Sequence, residues 1–300
     1  MTEIFLITAP RDKTPKKAIY TLLEALDCKK WIIGKERGKN GYEHWQIRVE
    51  TSSGEFFERW SKVLPHSHIE KSTHNWSDSY ERKEGSFWTH CDTNDVLIER
   101  FGELRPWQKQ ALKYLRKQND RQVDVWYDHQ GNHGKSWLCG HLHETGKACV
   151  VPRDWTNASE IVNFLVHNYN NEGIVVIDIP RSTTIPKGFY ETIEMIKDGL
   201  LGTTKWEGKM RNIRGVKVLI FTNHFLDRNK LSKDRWRFCE VTTVQHHMGG
   251  KEFIETVTPE KRAERKRICE EALRIIEQGG LTPPLNPPEN EADITPSEEP

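Results

Sequence analysis

Apolar and polar positions alternate with a period of two along YEHWQIRVE, residues 42–50, where Trp45, Ile47 and Val49 share one face. That alternation predicts a half-buried strand, with His44 and Gln46 together on its other face. EIFLITA, KKWIIGKE, HSHIEKS and SFWTHC also read as strands, and the RGKNGY turn between KKWIIGKE and EHWQIRVE predicts a hairpin. DKTPKKAIYTLLEAL places Ala18, Leu22, Leu23 and Leu26 at helical spacing, behind Thr14 as a cap and Pro15 as the first helical residue. SSGEFFERWSKVL is helical, and NWSDSYERKEG has helix-compatible spacing that stops at Gly85. Strands interleaved with helices but paired as hairpins predict an α+β unit with an antiparallel sheet.

The pattern changes further along. Residues 92–104 read as a linker, and RPWQKQALKYLRKQ as a basic amphipathic helix suited to oligomerisation. From QVDVWYDHQ onward, the short buried runs VDVWY, ACVV, GIVVID and VKVLIFT alternate with helical stretches, the mark of a parallel α/β sheet. The expected divisions are 1–92, 93–120, 121–248 and 249–300. The last holds a charged helix at 259–278 and a tail whose final twenty residues carry six prolines and five acids, a composition that predicts disorder. There are no internal repeats.

Composition adds two points. The net charge of +1 conceals an uneven distribution: without the five acids of the tail, 45 basic residues face 39 acidic ones, which fits an anionic partner. Eleven tryptophans, several beside basic residues, suit both core packing and stacking on single-stranded nucleic acid. Six scattered cysteines without C-x-x-C spacing indicate neither a zinc ribbon nor a disulfide framework. No apolar run is long enough to span a membrane, and the N-terminus lacks the basic start of a signal peptide, so an intracellular protein without membrane partners is expected.

QGNHGKSWL follows the strand VDVWY and precedes a helix. Gly131, Asn132, His133, Gly134, Lys135 and Ser136 form the end of a phosphate-binding loop, in which backbone N–H groups and a helix N-terminus face phosphates. Lys135 would reach the β- and γ-phosphates of ATP, and Ser136 would hold Mg²⁺. The full pattern asks for glycine at 129, where this chain has His129. Asp178 ends the apolar strand GIVVIDIP, the place for a second Mg²⁺ ligand or equally for a helix cap. Asn223 ends VKVLIFTN and can orient an attacking water, while Arg235 in LSKDRW is a candidate arginine finger across a subunit interface. This order resembles superfamily 3 helicases, a branch of the AAA+ ATPases. In those helicases a hairpin lining the ring pore grips single-stranded DNA, which the resemblance places at 199–215, with Lys205, Trp206, Lys209 and Arg211 as DNA contacts. A solvated basic hairpin is the alternative. Many such ATPases have a second acid after the strand-end aspartate; here Ile179 takes that place, which leaves the catalytic base open.

In SDSYERKEG, Tyr80 and Lys83 stand three apart and share one face of a helix. A tyrosine can attack a phosphodiester where a metal polarises the phosphate and a cation balances charge. His44 and Gln46, with Glu36 at the end of the preceding strand, form a mixed donor set that suits Mg²⁺ or Mn²⁺ better than zinc. Glu43 is the rival third ligand, though as the neighbour of His44 it points to the other face. A strand FLIT, then His-x-Gln, then Tyr-x-x-Lys, then a helicase of this type resembles the replication-associated proteins (Reps) of circular single-stranded DNA viruses. YEHWQIR and GNHGKS are closest in wording to smacovirus-like members, and Gln for the second histidine is similar to circovirus relatives. The resemblance covers residues 3–240. It implies an HUH endonuclease fused to a helicase, with Glu36, His44 and Gln46 on the metal, Tyr80 as nucleophile, and Lys83 beside it. It further implies origin and single-stranded DNA as partners, a hexameric ring, extension by a host polymerase, and the host nucleus as location if the host is eukaryotic. An ATPase with an inert DNA-binding domain, and a decayed viral relic, are the alternatives.

Overall fold

The computed structural model describes residues 2–203 and 208–241, together with Arg267 and Arg274, both helical. Lys205, Trp206, the rest of the 259–278 helix and the acidic tail lie outside the described residues. Through residue 241 the chain divides into two compact units between Leu97 and Ile98.

The first unit contains β1 (Glu3–Pro10), α1 (Lys16–Ala25), β2 (Lys30–Arg37), β3 (Glu43–Thr51), α2 (Phe56–Val63), β4 (His68–Lys71) and β5 (Phe87–Thr89). Its antiparallel sheet has the order β4-β1-β3-β2-β5. The central strand β3 sends Trp45, Ile47 and Val49 into a core shared with Phe5 and Ile7 of β1, Ile19, Leu22 and Leu23 of α1, and Phe56 and Trp60 of α2. Period two sends His44, Gln46 and Arg48 to the other face. The register there makes three rows: Pro10, His44 and Glu36; Thr8, Gln46 and Gly34; Leu6, Arg48 and Ile32.

Two local expectations are corrected. Thr14 does not cap α1: the N-cap is Pro15, in extended backbone with no side-chain bond, while the Thr14 carbonyl accepts from Trp45 Nε1 at 2.8 Å. Residues 79–84 are successive turns rather than a helix. Lys83 N bonds to Tyr80 O at 3.3 Å and Gly85 N to Arg82 O at 2.9 Å, and left-handed Gly85 (φ +68°) leads the chain into β5.

The segment expected as a linker contains α3 (Asn94–Phe101), at whose start Thr93 Oγ1 accepts from Val96 N. The second unit continues with α4 (Pro106–Arg116), β6 (Val123–Tyr127), α5 (Lys135–Glu144), β7 (Cys149–Val151), α6 (Ala158–Asn168), β8 (Ile174–Ile179), α7 (Phe189–Asp198), β9 (Leu200–Thr203), β10 (Lys209–Asn212), β11 (Lys217–Thr222) and β12 (Trp236–Glu240). Five strands form a parallel sheet in the order β12-β6-β11-β8-β7. Val125, Val175, Ile177, Val218 and Ile220 pack against α6 and α7. Trp126, Val176, Leu219 and Phe221 pack against α4 and α5. The apolar face of α4 packs within this unit: Trp107, Ala111 and Leu115 are buried on its own sheet. β9 and β10 form a separate antiparallel hairpin, at the place expected for one. Among the described residues no helix is long and apolar enough to cross a membrane.

Candidate functional site

In the first unit the outward row of β3 and β2 meets the 79–84 turns. Glu36 is 4% exposed and its Oε2 is shared: Lys83 Nζ lies 2.8 Å away and His44 Nε2 3.5 Å away. Its Oε1 is buried without a hydrogen-bond partner among the described residues. His44 Nδ1 lies 3.3 Å from the Tyr42 carbonyl, and the two rings stack at 5.1 Å. When Nδ1 carries the proton and donates it to that carbonyl, Nε2 keeps its lone pair for a metal. Gln46 Oε1 accepts from Thr8 Oγ1 at 3.0 Å. Tyr80 is 52% exposed, and Lys83 Nζ lies 3.5 Å from its ring centroid. Burial pulls the Lys83 ammonium down, but its bonds to Glu36 and Tyr80 outweigh this and hold it above the ordinary lysine value. The structure thus brings Glu36, His44, Tyr80 and Lys83 together. Glu43 instead pairs with Arg11 at 3.2 Å.

In the second unit β6 runs into the loop 128–134, where Gly131, Asn132 and Gly134 all take positive φ. Asp128, fully buried, gathers this loop: its carboxylate accepts from Gly131 N at 2.8 Å, His133 Nδ1 at 2.7 Å and Lys135 Nζ at 2.6 Å. Burial works against that charge, yet the bonds from Lys135, His133 and Gly131 outweigh it and hold the carboxyl below its ordinary value. Asn223 Nδ2 donates to the Asp128 carbonyl. Arg153 bridges the two expected Mg²⁺ ligands, donating to Ser136 Oγ at 2.7 Å and to the Asp178 carboxylate. Gly131 to Ser136, Asp178 and Asn223 therefore converge. Arg235 does not join them. It is 7% exposed and pairs with Glu194 at 3.3 Å and Asp198 at 3.8 Å on α7. The candidate finger is thus paired with α7 of its own unit in the single chain. Ile179 is fully buried. On the hairpin Lys209 is exposed, and the Arg211 guanidinium lies 5.6 Å from the Tyr169 ring centroid.

Comparison with known proteins gives two kinds of match. Over 138 residues, 44% of this chain, it is 30% identical to Para-Rep C10 of Milk vetch dwarf C10 alphasatellite, and Para-Rep C6 of Subterranean clover stunt C6 alphasatellite is 32% identical over 136 residues. The chain spans about half the length of these relatives, 47% and 46%. A longer match covers 70% of this chain and 90% of the master replication protein of Banana bunchy top virus, at 24% identity. The chain is related to the replication-associated proteins of circular single-stranded DNA viruses. No protein-family model matches it.

Several residues that sequence reasoning left out also shape these sites. Gly34, Arg48 and Glu81 shape the face on which Tyr80 sits, and a charged Arg48 inside a strand was the available signal. Asp128, at the end of an apolar strand before the loop, was equally visible. Arg153, and Arg181, whose guanidinium donates to Gln130 O at 2.8 Å, carry no motif and are placed by the fold alone. Trp107 Nε1 donates to His133 O at 3.0 Å and Gln108 Nε2 to Gly134 O at 2.9 Å, so α4 braces the loop from outside its motif. Among the described residues no three His, Cys, Asp or Glu side chains are arranged to hold a metal. The first unit's donor set is two such residues and an amide, and the buried, unpartnered Glu36 Oε1 is the atom that fits it to a hard cation.

Proposed function

We propose that the chain initiates rolling-circle DNA replication, nicking and rejoining a single strand through Tyr80, with an HUH-type first unit and an ATP-driven helicase of the superfamily 3 type as the second. The observation that carries this reading is the convergence of Glu36, His44, Lys83 and an exposed Tyr80 on one face of the antiparallel sheet. Mg²⁺ or Mn²⁺ held by Glu36, His44 and Gln46 would polarise the scissile phosphate. The chain's own residues do the rest. Tyr80 Oη attacks phosphorus, the bond from phosphorus to the 3′-oxygen breaks, and the phenolic proton is balanced by the one that the 3′-oxygen takes up. A 5′-phosphotyrosine and a free 3′-hydroxyl result, the hydroxyl being what a host polymerase extends. Lys83 sits beside the phenol and offsets negative charge building at phosphorus. Attack by a later 3′-hydroxyl on the phosphotyrosine reverses the chemistry and closes the circle.

In the second unit, ATP would lie on the Gly131–Ser136 loop with Lys135 on its phosphates, Mg²⁺ on Ser136 and Asp178, and Asn223 beside the attacking water. Lys135 leaves Asp128 for phosphate when nucleotide binds. A hexameric ring with Lys205, Trp206, Lys209 and Arg211 on single-stranded DNA extends the same reading, as does a nuclear location in a eukaryotic host.

The test is adduct formation. Wild-type chain incubated with single-stranded DNA and Mn²⁺ is expected to yield a DNA-linked peptide containing Tyr80 by mass spectrometry, and Tyr80→Phe none. An adduct or nicked product persisting in Tyr80→Phe would overturn the assignment.

A further inference from the structure

Glu81 follows Tyr80 and has no part in the chemistry above, yet among the described residues it is the most deeply buried acid of the first unit, with no exposed surface. Its Oε1 accepts from Arg48 Nε at 3.1 Å, and its Oε2 has no hydrogen-bond partner among the described residues. A buried ion pair with an unsatisfied oxygen is a poor source of stability, because desolvation consumes most of the Coulombic gain. It is a good source of fixed geometry, since neither partner can leave without stranding the other's charge. Arg48 itself is 9% exposed and sits on β3, one row beyond Gln46 on the same face.

The main chain is held at the same point. A Cβ at position 34 would collide with the Glu81 carbonyl oxygen and lie 3.2 Å from its carbonyl carbon and 3.3 Å from its Cα. These are backbone atoms, which cannot swing aside as a side-chain end can. Gly34 stands in the same row as Gln46 and two residues from Glu36. The bare backbone there is what lets the turn lie directly on the sheet. The turn is also closed on itself by Arg82 and Asp78 at 2.9 Å, with the Arg82 guanidinium 4.5 Å from the Phe87 ring centroid.

We propose that the buried Arg48–Glu81 pair and the side-chain-free seat at Gly34 form the positioning device of the nucleophile, fixing Tyr80 against the Glu36–His44–Gln46 face without touching DNA. This rests on Tyr80 being the nucleophile, so the test has one readout that needs nicking and one that does not. For the first, a randomised single-stranded DNA pool is selected once for adducts with wild-type chain, and one recovered sequence is resynthesised as substrate. Arg48→Met is expected to slow adduct formation at least thirtyfold under saturating DNA, with the half-saturating DNA concentration within twofold of wild type. Arg48→Lys, which keeps a cation beside Glu81, is expected to recover all but about fivefold. Gly34→Ala, with the ion pair intact, is expected to reproduce the loss. An unchanged rate in Arg48→Met, or a rate loss matched by an equal loss of DNA binding, overturns the proposal.

The second readout is ¹⁹F NMR of the full chain carrying 3-fluorotyrosine, with the Tyr80 resonance assigned by its absence in Tyr80→Phe. Gly34→Ala is expected to shift or split that resonance while the other tyrosine signals hold, which also shows that the variant is folded. A Tyr80 signal identical to wild type overturns the positioning role. If Tyr80→Phe still forms adducts, the nucleophile assignment falls, and the spectrum still decides whether the turn is pinned.

Discussion

Glu36 shows how much a single residue can settle. Its carboxylate is shared by a lysine and a histidine and has one buried oxygen with no hydrogen-bond partner among the described residues, whereas Glu43, seven residues on, faces the other way and binds Arg11. Glu36→Gln is expected to weaken Mn²⁺ binding at least tenfold by calorimetry, the scale on which metal sites respond to lost donors, and Glu43→Gln to leave it unchanged. The reverse order would move the ligand assignment to Glu43. Lys197 makes a different point. Its ammonium is buried and donates to Gln118 Oε1, Asn119 O and Val216 O. Burial, aided by nearby Lys217, lowers its pKa from the ordinary 10.5 to about 8. Between those values the unfolded chain holds a proton that the folded chain has released, so this residue adds stability as pH rises from about 8 to 10.5 and loses it again on the way down. The gap corresponds to about 3 kcal/mol. Denaturant unfolding at pH 7.5 and 10.5 is expected to show wild type gaining on Lys197→Met by an amount of that order; parallel pH profiles would refute it.

At the scale of elements, β3 and α4 carry most of the design. The period-two pattern of β3 made the strand, its hairpin with β2 and the pairing of His44 with Gln46 readable from sequence, because alternation is a local property. The turns at 79–84 were not readable. Tyr80 and Lys83 at a spacing of three fit a helix equally well, and what decides for turns is the seat on Gly34, a contact between residues nearly fifty positions apart. In the second unit four buried strands were legible from their apolar runs, while β12, with the mixed sequence WRFCE, was not: it gains its place by pairing with β6 and by the Arg237–Asp124 bridge at 3.0 Å. α4 was legible as a helix, but its contacts with the loop were not. Gln108, fully buried, accepts from Arg105 N at 2.7 Å through Oε1 and donates to the Gly134 carbonyl through Nε2, which joins the helix start to the phosphate loop. Gln108→Leu strands both backbone groups and is expected to cost about 1–3 kcal/mol of this unit's stability and to weaken ATP binding, by denaturant unfolding and nucleotide titration. Unchanged ATP affinity would leave Gln108 a purely structural residue.

At the scale of the whole molecule, each compact unit contributes a candidate site drawn from its own described strands and loops. Among the described residues, Glu36, His44, Gln46, Tyr80 and Lys83 all lie before Leu97, and Gly131 to Ser136, Asp178 and Asn223 all lie after Ile98. The two chemistries are therefore expected to separate. Lys135→Ala should abolish ATP hydrolysis and leave Tyr80 adduct formation within about twofold, whereas Tyr80→Phe should do the opposite. Loss of both activities in either variant would show that the units work only in concert. Each motif set is contiguous along the chain, which is why the candidate residues of each site fall within one unit. The pairing of Arg235 with Glu194 and Asp198 was not legible, because it depends on α7, which no motif describes.

The two-sided character of β3 also sets how the protein tolerates changes in length. Its odd positions hold the core and its even positions hold the candidate site's face, so one residue inserted between Glu43 and His44 would turn Trp45 and Ile47 outward and bury His44 and Gln46 in their place. The loop just before it is closed by Gly38 N on the Tyr42 carbonyl at 2.8 Å. Insertion scanning through 36–50 should therefore give a sharp boundary: short glycine insertions between Lys39 and Gly41 leave soluble, folded chain, and a single residue added four positions later gives none.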